Sequence, residues 1–423
     1  MGSRLPSQWL GAQTGSAAQI LQEGNPLDRT IDLVLIMLAV GILVLRSFKW
    51  DEFFRRNLTL IAFIVFALVS VTWSDFPLVS FKRWFRDLGN YLMILVVLSD
   101  PRTLEAVCTL LRRLFYTLVP LSILLNKYYP YLSKQYDSWT GAAMFVGATT
   151  SKNMLGVLCL VSGLFFFWDT ANRWSDRKER RTRRIIAVNV LFFVMTLWLL
   201  NLANSATSKV CLAIGCLVIV AARSNMFTRH PTFLKVAIPA SFCVYLILAF
   251  GFNINGVLAS QVGRDATLTG RTDIWRAVLS TNTNWLIGTG YESFWLGPRL
   301  YQVWQQTMMG LNESHNGYLE IYLNLGMVGV LLLVVFLVTA YRTIWKRFKD
   351  SPRLASLGLA TWMIVVFYDM TEAAAFRGQL LWVVFLLVVI VVPSRASVPQ
   401  GVSLTEGPSF REFPSRLREG VVE

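Results

Sequence analysis

The sequence is poor in charge and in histidine. Only 15% of its 423 residues are charged, and two are histidines. An average soluble domain has about a quarter charged residues, so this composition, with 54% hydrophobic residues, excludes an ordinary soluble fold. Apolar runs recur along the whole chain, and the mean hydropathy is +0.50. A membrane-spanning helix needs about 20 such residues. The sequence therefore predicts an all-α, polytopic transmembrane bundle.

Cysteine is scarce and shows no functional pattern. The five cysteines lie in or beside apolar segments, with no CxxC pair and no metal-ligand spacing, so they are interpreted as packing residues. No basic segment directly precedes an apolar run at the N-terminus, which predicts no cleaved signal peptide. The glycines of "GTGYESFW" (288–295) are not followed by GKS or GKT, which excludes a P-loop.

About 11 spans (10–12) are predicted from the apolar runs. The third and fourth are short, and either could lengthen into its flanks. The candidate spans lie near 31–46, 58–74, 88–99, 114–125, 153–168, 185–203, 206–222, 235–252, 317–341, 355–370 and 379–393.

The distribution of basic residues predicts the orientation. The formal charge of +15 could suggest nucleic acid, but lysine and arginine concentrate in alternate loops, above all in "NRWSDRKERRTRR" (172–184). Such loops face the cytoplasm, which places the C-terminus inside and predicts no nucleic-acid partner. The predicted regions are an outer-face segment 1–30, helices 1–8 over 31–252, a large outer-face loop 253–316 with an amphipathic helix, helices 9–11 over 317–393, and a disordered cytoplasmic tail 394–423.

The stretch "TLTGRTDIWRAVL" (267–279) predicts a short amphipathic helix in the outer loop. Thr269 or Thr272 can cap it, and Ile274, Trp275, Val278 and Leu279 share one face. Arg271 stands at its N-terminus, where free N–H groups and a guanidinium favour an anion. The alternative is that Arg271 pairs with Asp273 or with a lipid phosphate.

His315 stands where "NESHNGYLEIYLNLGMVG" (312–329) changes from polar to apolar. A histidine can exchange a proton near neutral pH. At a helix start the dipole should lower its pKa and keep the ring neutral, as a general base requires. Glu313 or Glu320 could orient the ring, and Asn316 shares a helical face with Glu320. The alternative is a histidine that only bonds loop backbone.

Further basic and aromatic residues are expected on the outer face, where basic residues should be depleted. An anionic substrate would explain the cations, and lipid headgroups are the alternative. Tyr291 and Trp295 could stack on sugar rings or anchor the protein at the interface. The cations and one amide neighbour are Lys82, Arg83, Arg86, Lys152, Asn153 and Lys209.

Taken together, "SATSK" (205–209), "TGRTDIW" (269–275) and "NESHNGYLEIYLNLGMVG" resemble the O-antigen ligase and polymerase superfamily, which includes exopolysaccharide polymerases. The resemblance extends over most of the chain and is strongest over 204–330. It implies a glycosyltransferase in the bacterial inner membrane with its active site on the periplasmic face. The implied donor is a glycan on undecaprenyl diphosphate, and the implied acceptor is a sugar hydroxyl. Neither a metal nor another cofactor is expected, whereas membrane lipids and polysaccharide assembly proteins are expected partners.

The resemblance also assigns roles to residues. His315 would be the base, and Arg271 would be catalytic and hold the diphosphate. Lys209, which replaces an arginine common in the family, would also bind the diphosphate. Lys152 and Arg83 would add positive charge for the diphosphate. The supporting residues would be Glu313, Asn316, Glu320 and Asn153.

Two other functions remain open on the sequence alone. A lipid-linked oligosaccharide flippase or polysaccharide exporter would also need cations in a cavity, and Asp369 and Glu372 near a span end keep that alternative. They could instead pair with Arg377. The second alternative is a non-catalytic scaffold. Between ligase and polymerase, likeness of "YYPYLSKQYDSWTG" (128–141) to exopolysaccharide polymerases favours polymerase.

Overall fold

The computed structural model describes residues 25–136, 141, 143–224, 235–240, 271–373 and 378–393. These residues are mainly helical, as predicted, with one antiparallel pair of three-residue strands among them. The elements are α1 (Pro26–Leu45), α2 (Trp50–Arg56), α3 (Leu58–Val69), α4 (Pro77–Leu98), α5 (Thr103–Tyr128), α6 (Pro130–Ser133), β1 (Lys134–Tyr136), β2 (Ala143–Phe145), α7 (Lys152–Arg173), α8 (Arg180–Ala203), α9 (Ala206–Arg223), α10 (Arg271–Leu279), α11 (Gly297–Thr307), α12 (Gly317–Arg347), α13 (Pro352–Tyr368) and α14 (Leu380–Val389).

A helix occupies each predicted span that the structure describes in full, although the bounds differ. The two short predicted spans are longer because α4 and α5 continue through the arginines that flank their apolar centres. Of 235–252, only 235–240 is described, and it is helical. Five described helices are long and apolar enough to cross a bilayer, and α1 with α2, bent by 107°, makes a sixth if counted as one span. The all-α membrane fold is confirmed, whereas the count of about 11 spans stays a prediction.

Small residues allow the central helices to approach closely. A Cβ atom on Gly215 of α9 would lie 2.6 Å from Ile364 of α13 and 2.7 Å from Leu164 of α7. A Cβ on Gly156 would lie 2.7 Å from the Ser208 hydroxyl. Interfaces between helices in membranes depend on such close packing because lipid supplies no hydrophobic driving force. The α7–α9–α13 contact brings the N-termini of α7 and α9 beside the C-terminal end of α13.

Helix α12 is broken at Gly326, which has φ 63° and ψ −164°. The break exposes backbone groups that hydrocarbon cannot satisfy. The preceding loop supplies their partners: the N–H groups of Met327 and Val328 donate to the carbonyls of Trp285 and Leu286, at 3.0 and 3.1 Å. In return, the N–H of Gly290 donates to the Asn324 carbonyl at 2.9 Å. The loop is therefore part of the folded core around the N-terminal part of α12.

A small second core lies between this loop and the two helices of segment 271–316. Ile274 and Val278 of α10 and Leu300 and Val303 of α11 are buried together with Phe294. The predicted amphipathic helix is present, and Ile274 and Val278 of the expected face are buried, whereas Leu279 is 57% exposed. Helix α11 was not predicted. The N-terminal cap of α10 lies outside the described residues.

Several basic residues lie together at the end of the bundle away from His315. Arg112 and Arg173 lie 3.1 and 3.0 Å from the two oxygens of buried Asp169, and Asn189 donates to Asp169 at 2.9 Å. Arg223 donates to Asn172 at 2.8 Å. Arg112, Arg173 and Arg223 lie on α5, α7 and α9, so the structure brings parts of these three helices together.

Candidate functional site

His315 occupies a constrained position directly before α12. Its φ of 53° lies in the left-handed region, which is uncommon outside glycine and often marks functional sites. The next residue, Asn316, caps α12 by accepting a hydrogen bond from Leu319 N at 3.0 Å. The N–H of Gly317 donates to the carbonyls of Asp369 and Glu372. The start of α12 is therefore fixed against the C-terminal end of α13.

Two carboxylates share one nitrogen of the His315 ring. Nδ1 lies 3.0 Å from Glu313 Oε1 and 3.3 Å from Glu372 Oε2. Burial lowers the pKa of His315, but hydrogen bonds to Glu313 and Glu372 and their negative charges outweigh it, and the pKa is raised to about 9. The expectation of a lowered pKa was wrong because the helix dipole is weaker than two adjacent carboxylates. With Nδ1 engaged, Nε2 is the nitrogen left for chemistry.

Arg271 is the first described residue of α10 and reaches the same place. Its Nη2 lies 2.6 Å from Glu372 Oε1. Asp273, the partner considered from the sequence, pairs with Arg276 instead. Helix α10 is held against the histidine segment because the Trp275 indole donates to the Ser314 carbonyl at 2.9 Å. Arg271 and His315 thus meet through a common carboxylate.

The N-terminus of α7 contributes a third group. Asn153 Nδ2 donates to Glu372 Oε2 at 3.0 Å. Its neighbour Lys152 is exposed and makes no ion pair within the described ranges. The N-terminus of α9 lies close by, since the hydroxyls of Thr207 and Thr371 are 3.1 Å apart.

The other predicted cations have different partners. Lys209 donates to Asn201 Oδ1 at 3.1 Å, at one end of an open groove of about 360 Å³ between α8 and α9 whose lining is mainly apolar. Arg83 of α4 donates to the Glu292 carbonyl. In the part of the chain that the structure describes, neither residue contacts Arg271 or His315.

Glu320 and the two predicted aromatic residues serve the fold rather than an open cavity. Glu320 accepts from Trp295 Nε1 at 3.1 Å and from the N–H of Ser314, so it supports the loop before His315. The Tyr291 hydroxyl donates to Asp87 at 2.9 Å. Both aromatic side chains are buried, at 6% and 5% exposed. Stacking of sugar on either face is therefore excluded in this conformation.

Metal binding can be considered because Glu313, His315 and Glu372 place three ligand-type atoms within 4.8 Å of one another. The Arg271 guanidinium already neutralises Glu372, however, and a cation placed there would lie beside it. Hydrogen bonds and ion pairs link Glu313, His315, Glu372 and Arg271 in this structure.

Glu372 is the residue that sequence reasoning left without a role. It lies 57 residues from His315 and 101 from Arg271 in the chain. The available signal was an acidic residue at the end of an apolar span, a position that often serves function. Arg377, its considered partner, lies outside the described residues.

The fold and this cluster define a multi-pass helical membrane protein with a polar site at one end of its bundle. A family described as O-Antigen ligase matches residues 138–334, a range that contains Asn153, Lys209, Arg271 and His315. The exopolysaccharide production protein ExoQ of Rhizobium meliloti is 25% identical over 315 residues, which cover 71% of this chain and 68% of that protein. These matches agree with the resemblance found in the motifs: over residues 138–334 the chain is similar to the O-antigen ligase family. Both similarities support an enzymatic role at the membrane in polysaccharide assembly.

Proposed function

We propose that the chain transfers a glycan from a polyprenyl diphosphate, such as undecaprenyl diphosphate, to a sugar hydroxyl on the periplasmic face of the bacterial inner membrane. The observation that carries this proposal is the meeting of Arg271, His315 and Asn153 on one carboxylate, although they come from distant parts of the chain. The site lies at the end of a membrane bundle and contains the Arg271 cation and the His315 ring, which can accept a proton. Such a site suits an anionic donor that is anchored to lipid.

The reaction needs little from the protein besides position and charge. The acceptor oxygen attacks the anomeric carbon, and the bond from that carbon to the diphosphate oxygen breaks with both electrons leaving on the diphosphate. Arg271 stabilises the charge that develops there. His315 Nε2 takes the hydroxyl proton, and Glu313 stabilises the imidazolium that forms. Holding both substrates together supplies much of the acceleration.

The raised pKa of His315 restricts this mechanism. At neutral pH most rings carry a proton, because the pKa is about 9, and only the neutral fraction can act as a base. We infer that transfer proceeds through this minor form, which is a stronger base than an unperturbed histidine. No metal is needed in this scheme, so chelation should leave transfer intact.

Polymerisation is favoured over ligation. The relative from Rhizobium meliloti bears a name for exopolysaccharide production, and the segment 128–141 resembles exopolysaccharide polymerases. We propose that the acceptor is another lipid-linked repeat, so that each transfer lengthens a chain.

Replacement of His315 by alanine tests the proposal in cells. Loss of polymer with lipid-linked donor retained at the outer face would support the transferase. Donor accumulating on the inner face would instead support a flippase. If His315→Ala and Arg271→Ala both leave the polymer unchanged, the chain is a scaffold.

A further inference from the structure

Glu372 is held rigidly where the ends of two membrane helices meet. It lies four residues after the end of α13, and its N–H donates to the Tyr368 carbonyl at 2.9 Å. Its own carbonyl accepts from the N–H of Gly317, the first residue of α12, at 3.1 Å. The side chain is 7% exposed. A carboxylate fixed in this way can hold side chains of other helices in a defined orientation.

The two oxygens of Glu372 divide three partners between them. Oε1 accepts from Arg271 at 2.6 Å. Oε2 accepts from Asn153 at 3.0 Å and lies 3.3 Å from His315 Nδ1. A short charge-assisted bond of the first kind is about twice as strong as a neutral one. The strongest contact of Glu372 therefore engages the guanidinium assigned to the donor.

A diphosphate and Glu372 would compete for that guanidinium. Both are anions that accept from arginine, and the diphosphate carries the larger charge. In the free protein the Arg271 side chain is 17% exposed, so part of it remains accessible. Donor that binds Arg271 must weaken the contact to Glu372, and the carboxylate then keeps His315 and Asn153 as its partners.

We propose that Glu372 is a positioning residue that orients His315 through Nδ1 and holds Arg271 until donor diphosphate takes the guanidinium over. This inference rests on the proposed transferase function. The charged groups that face the histidine are Glu313 from its own loop and Glu372 from the end of α13, with Arg271 of α10 behind Glu372. Tyr368, the last residue of α13, interacts electrostatically with Glu372, Glu313 and Asp369.

Glu372→Gln tests the inference because the amide keeps the shape and removes the charge. The KM for undecaprenyl-diphosphate glycan should fall about tenfold, since Arg271 is no longer held back. The kcat should fall about 100-fold, because the ring loses its orienting carboxylate. The pH at which the rate reaches half its maximum should move down, since one of the two groups that raise the pKa of His315 is gone. A purely structural role would not lower KM while lowering kcat.

A second variant distinguishes a loss of positioning from a loss of folding. Glu372→Asp retains the charge but shortens the reach, so kcat should fall while the pH profile moves down less than in Glu372→Gln. Glu105→Gln, at an exposed carboxylate of α5 that pairs with Arg102, is the matched control and should behave as the unchanged protein. Glu372→Gln with unaltered kcat and pH profile, or with a raised KM, would overturn the inference, as would Glu372→Asp with unaltered kcat.

Failure of the proposed function gives a different result. If the wild-type protein transfers no glycan, the competition for Arg271 can still be tested by measuring the affinity of the protein for undecaprenyl diphosphate. Tighter binding to Glu372→Gln than to the unchanged protein would support competition for Arg271, and equal or weaker binding would overturn it. A chain that transfers glycan normally while Glu372→Gln changes nothing loses only this inference.

Discussion

The Nδ1 atom of His315 lies 3.0 Å from Glu313 Oε1. This pair, together with Glu372, explains why the pKa of the ring is raised despite burial, which alone would lower it. A carboxylate on one ring nitrogen fixes the tautomer and stabilises the imidazolium. The reactive nitrogen is therefore defined by the structure before any substrate binds.

A pH profile follows from this arrangement. If neutral His315 is the base, the transfer rate should rise with pH and level off above a pKa of about 9. Initial rates of purified protein in nanodiscs, with saturating lipid-linked donor, can be measured from about pH 6 to about pH 10. Glu313→Gln should shift the rise to lower pH. A rate that falls over this range would assign the reaction to the imidazolium instead.

Because the backbone of His315 is left-handed, a substitution that tolerates this conformation can remove the imidazole without disturbing the fold. Asparagine tolerates a φ of 53° better than most residues and can still donate to the carboxylates. We expect His315→Asn to keep its thermal stability and to lose about 10²- to 10⁴-fold in transfer rate, as for loss of a general base. A melting curve and a transfer assay on the same preparation check this. Activity close to that of the unchanged protein would remove His315 from the mechanism.

The helices were predictable because hydropathy is a local property, but the break in α12 was not. The sequence "NLGMVGVLLL" (324–333) is apolar on both sides of Gly326, so hydropathy continues through the break. Helix α11 was missed because it is short and half polar. The role of Glu372 could not be predicted, since Arg377, Arg271 and His315 were equally available as partners until the tertiary fold brought two of them within reach.

Gly326 offers a test of the break. Its φ and ψ are nearly exclusive to glycine, and a Cβ atom there would lie 2.3 Å from the Leu286 carbonyl. Gly326→Ala should therefore destabilise the protein by about 1–3 kcal/mol and reduce transfer, because the loop and α10 would shift together. Thermal unfolding in detergent measures the first effect. Gly41→Ala is the control, since a Cβ at Gly41 meets nothing within 4 Å. Equal stability of the two variants would contradict the role given to the break.

Arg271 and Lys209 should differ in importance, although the resemblance gives both to the diphosphate. Arg271 belongs to the cluster around His315, whereas Lys209 bonds Asn201 beside an apolar groove. We expect Arg271→Ala to lower kcat/KM about 10²- to 10³-fold, as for loss of one donor to a developing charge. Arg271→Lys should recover only part of this, because an ammonium lacks the planar fork of a guanidinium.

Lys209→Ala should have a smaller effect, about tenfold or less, and act mainly on KM, because a charge outside the cluster attracts donor without contacting the transition state. Titration of donor with each variant separates KM from kcat. The effect of Lys209→Ala should also diminish at high salt, since an exposed charge is screened. If Lys209→Ala lowers kcat as strongly as Arg271→Ala does, the lysine must swing into the cluster when donor is bound, and the two-cation site implied by the resemblance would form only in the complex.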